Sequence, residues 1–99
     1  TDGPFLHRTA DGTLLMIWSS FSTGGYCVAV ARSDNGDITG NWILEDDLLF
    51  ERDGGHGMIF RTLDGQLMLA LHTPKAKPKE RPQFYPIREQ AGSLCRETL

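Results

Sequence analysis

"GGHGMIFRTLDGQLMLALH", Gly54 to His72, decides the fold. It reads as two short apolar strands joined at Asp64-Gly65, because an Asp-Gly pair takes up the two positive φ values of a tight hairpin at low cost. A lone histidine, His56, stands between glycines at the mouth of this hairpin. The N-terminal stretch "DGPFLHRTADGTLLMIWSS", Asp2 to Ser20, overlays it at a constant offset of 53. Arg8-Thr9 then meets Arg61-Thr62, Asp11-Gly12 meets Asp64-Gly65, and Leu14 meets Leu67. Asp2 and Gly3 fall on Gly55 and His56, so the ionisable residues of the two copies share almost one structural place.

Outward from these hairpins the chain reads as strands with almost no helical period. The expected segments are Pro4 to Thr9, Thr13 to Ser19, Tyr26 to Ser33 and Trp42 to Phe50, then Met58 to Thr62, Gln66 to His72, Gln83 to Arg88 and Ser93 to Thr98. They make two sets of four, in units of about residues 1–53 and 54–99. The second strand of each set is apolar on both faces: Leu14, Met16 and Trp18 alternate with Leu15 and Ile17, and Leu67, Leu69 and Leu71 with Met68 and Ala70. Such strands must be covered on both sides. A four-stranded unit repeating at about 50 residues points to all-β architecture with two blades of a β-propeller. The alternative is a small two-sheet β-sandwich, which calls for cleaner alternation of apolar and polar residues than these strands show. Two blades leave two apolar faces bare, so the propeller reading expects the remaining blades or self-association to cover them.

Composition narrows the partners. The 99 residues give one small domain, and chains of this size bury only about 60 to 65% of their unfolded surface. A net charge of −3 offers no basic footprint for nucleic acid or an anionic membrane, and neither is expected as a partner. Apolar runs such as Leu14 to Trp18 fall far short of the roughly 20 residues of a spanning helix. Cys27 and Cys95 lack ligand-like spacing and read as small apolar strand residues. The chain opens at Thr1, which suits a segment of a longer protein. His7 lies mid-strand where Phe60 stands in the second copy, and is expected to pack. Trp18 and Trp42 could stack on sugars but fit core positions better. His56 and His72 alone are too few for a zinc site.

"TDGPFLHRTADGTLLMIWSS", "GNWILEDDLLF", "GGHGMIFRTLDGQLMLALHTP" and "ERPQFYPI" together resemble the later part of glycoside hydrolase family 43. That resemblance implies a five-bladed propeller acting on arabinose- and xylose-containing glycans by an inverting acid/base mechanism, with an oligo- or polysaccharide as partner. It puts the family's general acid, a glutamate in Glu-Gly-Pro, at Asp2 of "TDGP". The aspartate is one methylene shorter, and an inverting pair must stand roughly 6.5 to 9.5 Å apart to admit water. The resemblance also implies an axial role for His56, binding water or reaching a central calcium ion through it, and leaves Arg81 as the cation of "TPKAKPKERP" able to approach the site. No cofactor is required by the chemistry, and calcium is the one candidate. The base and second carboxylate would lie on earlier blades, so the chain alone should be inactive. The alternative function is a carbohydrate-binding or scaffold propeller without catalysis.

Overall fold

A computed structural model describes residues 2–22, 25–74, 81–90 and 92–96, with the main chain alone at Asp2. Eight strands run through them: β1 (Asp2–Arg8), β2 (Leu14–Ser22), β3 (Gly25–Ser33), β4 (Trp42–Leu44), β5 (Gly55–Arg61), β6 (Leu67–Thr73), β7 (Arg81–Gln90) and β8 (Ser93–Arg96). They form two antiparallel four-stranded sheets, β1-β2-β3-β4 and β5-β6-β7-β8, each in simple sequence order. Among the described residues there is no helix.

Both sheets open with the same hairpin, but not with the two-residue turn expected. Thr9 N–H donates to Thr13 O (2.9 Å) and Gly12 N–H to Thr9 O (3.0 Å); Thr62 N–H donates to Gln66 O (2.8 Å) and Gly65 N–H to Thr62 O (3.0 Å). These are three-residue loops, a type I turn closed by a glycine at positive φ, 91° at Gly12 and 93° at Gly65. The side chains explain the choice. Thr9 Oγ1 donates to Asp11 Oδ1 and Thr62 Oγ1 to Asp64 Oδ1, while Arg8 and Arg61 donate to the carbonyls of Gly12 (3.0 Å) and Gly65 (3.1 Å). The threonine hydroxyls hold both carboxyls below their ordinary range. Each aspartate therefore works through its side chain, and only the glycine takes the left-handed conformation.

The strand expected over Trp42 to Phe50 is a second correction. β4 ends at Leu44, Asp46 and Asp47 bow into solvent, and the chain returns at Leu49 and Phe50. Leu49 N–H donates to Val28 O (2.9 Å) and Val28 N–H to Phe50 O (2.8 Å). Three successive acidic residues, Glu45 to Asp47, repel one another and suit a strand poorly, whereas Phe50 belongs in the core.

One face of each sheet meets the other. Leu15, Ile17, Val28 and Val30 pack on Ile59, Leu69, Leu71 and Ile87, with Leu49 and Phe50 filling the margin. Tyr85 lies 5.1 Å from Phe50, ring centre to ring centre. The outward faces are also apolar, carrying Leu6 and Leu44 on one sheet and Met58, Phe60 and Phe84 on the other. Two sheets apolar on both sides are stacked blades, not a closed sandwich.

His7 does more than pack. Its Nε2 lies 2.8 Å from Glu89 Oε2, across the interface between the sheets, and Glu89 Oε1 accepts from Ala10 N–H at 2.9 Å. Burial pushes the Glu89 carboxyl up, but the Ala10 and His7 hydrogen bonds outweigh it and hold the group below its ordinary value. One carboxylate thus clamps β1 and its hairpin to β7.

Candidate active site at one end of the sheets

β1 and β5 both begin with an irregularity of register, between Asp2 and Phe5 in one sheet and between Gly55 and Met58 in the other. The repeat extends to the dihedral angles: φ is 61° at Gly3 and 55° at His56. Glycine takes this conformation freely, whereas a residue with a Cβ is strained there by about 1 to 3 kcal/mol. Histidine kept where the first copy has glycine is an observed strain, and such strain gathers at functional sites.

These two ends touch. A Cβ added to Gly3 would stand 3.2 Å from both Cγ and Nδ1 of His56, so the bare main chain at Gly3 lets the imidazole approach. His56 N–H donates to Ser19 Oγ. Ser19 is fully buried, and in the β1–β2 register it is the partner of Asp2. A single hydroxyl therefore links the strand position opposite Asp2 to the backbone of His56 on the other sheet. The connection into β5 is pinned as well. Asp53 Oδ1 accepts from Tyr26 N–H (3.0 Å), Gly54 N–H donates to Tyr26 O (2.9 Å), and Thr73 Oγ1 donates to Arg52 O (2.9 Å). A Cβ on Gly55 would lie 2.4 Å from Cε2 of the buried Tyr26, so glycine is required for this close approach.

The structure brings Asp2, Gly3, Ser19 and His56 together through main chain, hydroxyl and imidazole. Arg81 opens β7 opposite Thr73, next to the row Gly55, His72 and Pro82. It shares the end with His56 but stands two strands away, about 10 Å in sheet spacing. His72 is the register partner of Gly55. Trp42 lies at the opposite end beside Ser33, its indole N–H donating to Ile38 O (3.2 Å). Lys75, Lys77 and Lys79 fall outside the described residues.

Two residues at this end went unread in the sequence. Ser19 had a signal, since it interrupts the inward apolar series Leu15, Ile17 with a hydroxyl. Phe21 is 63% exposed and packs on Tyr26 at 5.0 Å between ring centres, near the rim of the same end. A separate cavity of about 710 Å³ opens at the other end, between Asp11, Arg32, Asp34, Asn35, Glu45 and Gln90, and none of the expected site residues lines it. Calcium takes six to eight oxygen ligands. Among the described residues no group of three His, Cys, Asp or Glu stands together.

Neither a protein-family model nor a curated protein matches the chain. Solved structures do, among them the following two. An endo-arabinase from Bacteroides thetaiotaomicron is 41% identical, with a TM-score of 0.87 over 94% of this chain and 33% of its own. A thermostable family-43 glycoside hydrolase shares the fold at a TM-score of 0.79 and 20% identity, over 99% of this chain and 35% of its own. The chain spans about a third of the length of these structures. The sequence motifs, the paired four-stranded sheets and these likenesses agree, and the chain is a two-sheet segment of the glycoside hydrolase family 43 fold.

Proposed function

We propose that the chain is part of a glycoside hydrolase that cleaves arabinofuranosyl or xylosyl linkages with inversion, at the axis of a five-bladed propeller. The observation that carries this reading is the 41% identity to an endo-arabinase across 94% of the chain. The meeting of the Asp2 strand position with His56 at one end of both sheets supports it. Asp2 protonates the leaving oxygen while a base outside this chain deprotonates the attacking water. His56 orients water or a carboxylate beside it, a task suited to a neutral imidazole held in one backbone conformation. Arg81, at the rim, meets the glycan rather than the reacting bond. The segment alone lacks the base and is inactive.

The test needs the complete protein. Asp2→Asn removes the transferable proton, and general acid catalysis is typically worth about 10² to 10⁴-fold. On arabino- and xylo-oligosaccharides kcat/KM should fall by that order, whereas an aryl glycoside that departs as a stable anion should lose far less. Asp2→Glu should keep activity. Equal, small losses on both substrate types would return Asp2 to the role of a turn residue.

A further inference from the structure

The cavity of about 710 Å³ at the end opposite Asp2 and His56 lies between the two sheets, and both of its walls belong to this chain. On β3 the inward residues Val28 and Val30 close the apolar core, and the next position on that face is Arg32. From there the space between the sheets is polar. Glu45, whose N–H donates to Val30 O (2.9 Å), places Oε1 3.6 Å from Arg32 Nε. The second sheet supplies Gln90 and Ser93, partners across the β7–β8 turn. A Cβ on Gly92 in that turn would stand 3.2 Å from Thr13 Oγ1, so the turn lies against the first hairpin and closes one side.

The walls are fixed by their own hydrogen bonds. Arg8 Nη1 donates to Gly12 O (3.0 Å) and Nη2 to Gly36 O (3.1 Å), so one guanidinium joins the two loops on the first sheet's side. Asn35 Oδ1 accepts from Asp37 N–H (2.9 Å), and Gln90 Oε1 accepts from Arg88 Nη2 (3.3 Å), which spends both amide oxygens and leaves both NH₂ groups as donors.

We infer that this cavity binds an uncharged, hydroxyl-rich ligand, one or two residues of a neutral glycan, apart from the candidate active site. Other ligand classes fit its lining less well. Three carboxylates against one arginine disfavour an anion. The carboxylates in turn have local partners: Asp11 is held by Thr9 and Thr13, Asp34 accepts from Asn41 N–H (3.0 Å), and Glu45 has Arg32 beside it. No aromatic or large aliphatic side chain lines the cavity among the described residues, so a flat or apolar ligand gains little there. A sugar hydroxyl both donates and accepts. Set between Arg32 and Glu45, it fills a gap of 3.6 Å that is too long for a direct hydrogen bond. The volume lies within the roughly 300 to 1,000 Å³ of small-ligand sites. A polysaccharide gripped there is kept at high local concentration around the molecule.

Titration calorimetry on the complete protein, carrying Asp2→Asn to suppress hydrolysis, tests this with arabino-oligosaccharides. Two binding events per chain are expected. Arg32→Ala removes a charged donor and should weaken one event about tenfold or more. Ser93→Trp fills the cavity instead and should remove the same event. Placed in the protein with Asp2 intact, neither change should alter kcat/KM on an aryl glycoside, which also checks the fold; Gln90→Ala replaces either variant that fails this check. A single event per chain, two events that survive both variants, or displacement of the sugar by inorganic phosphate would each overturn the proposal. The choice of an arabinose-containing probe rests on the proposed function, whose failure would show instead as absent hydrolysis by the protein with Asp2 intact.

Discussion

The two sheets share a five-residue hairpin pattern, Arg-Thr-x-Asp-Gly, and end up with different chemistry where they meet. From Arg8 to Gly12 and from Arg61 to Gly65 the hydrogen bonds repeat atom for atom: arginine to glycine carbonyl, threonine to aspartate, glycine N–H to threonine. At the other end of those strands the backbone repeats but the residues part. Gly55 stands where the first sheet has Asp2, His56 where it has Gly3, and His72 where it has Ser19. A hairpin needs only to fold, so the residues that make its shared hydrogen bonds are the same twice. The converging ends each present something different to one shared space, and the break in the repeat is the better guide to function.

The largest effect should come from forcing the second sheet to accept a side chain where the first carries Asp2. Gly55→Ala drives a methyl group into Tyr26 and Ser19, both buried, and overpacking of this kind costs about 3 kcal/mol. Urea unfolding should show the midpoint falling, and an unchanged midpoint would mean that the two ends differ less than their residues suggest.

Making the second end like the first at the next position should have the opposite sign. His56→Gly relieves the left-handed strain, offset in part by the greater freedom of the unfolded chain, for a net gain of about 0.5 to 1 kcal/mol. In a chain of this length that is a rise of roughly 4 °C in melting temperature. In the complete protein the same change should lower kcat/KM. A variant both more active and more stable would remove His56 from the site.

An effect of similar size concerns the clamp that the first sheet has and the second lacks. Glu89→Gln should cost about 1 kcal/mol at neutral pH. The folded Glu89 value lies below the ordinary 4.5, so its contribution is complete above pH 4.5 and is lost as pH falls through the folded value. Unfolding midpoints of wild type and variant should converge in acid. A constant gap from pH 7 to pH 3 would assign the loss to packing rather than to the carboxylate.

Much of this was legible from the chain. The offset of 53 exposed the two sheets, and apolar residues on both faces of Leu14 to Trp18 and Leu67 to Leu71 exposed their stacking. What stayed hidden depends on partners far away in sequence. Glu89 is 82 residues from His7 and Ser19 is 37 from His56, and no local pattern marks either pair. The three-residue hairpin was hidden for another reason: Asp-Gly serves two loop types, and the threonine two residues ahead of the aspartate selects between them. β4 was overread because apolar Leu48 to Phe50 masked the cost of the acidic run before it.

The threonine–aspartate lock has a consequence for the order of assembly. Its bonds span two to four residues, so each first hairpin can close on the microsecond scale of local loops, before the two sheets have met. The Ser19–His56 and His7–Glu89 bonds require the chain to come together over long separations, which is the slow part of folding a β protein. The strained histidine therefore acquires its conformation only when both sheets are already formed. A lesion in either hairpin should slow folding, whereas one at the converging ends should chiefly hasten unfolding.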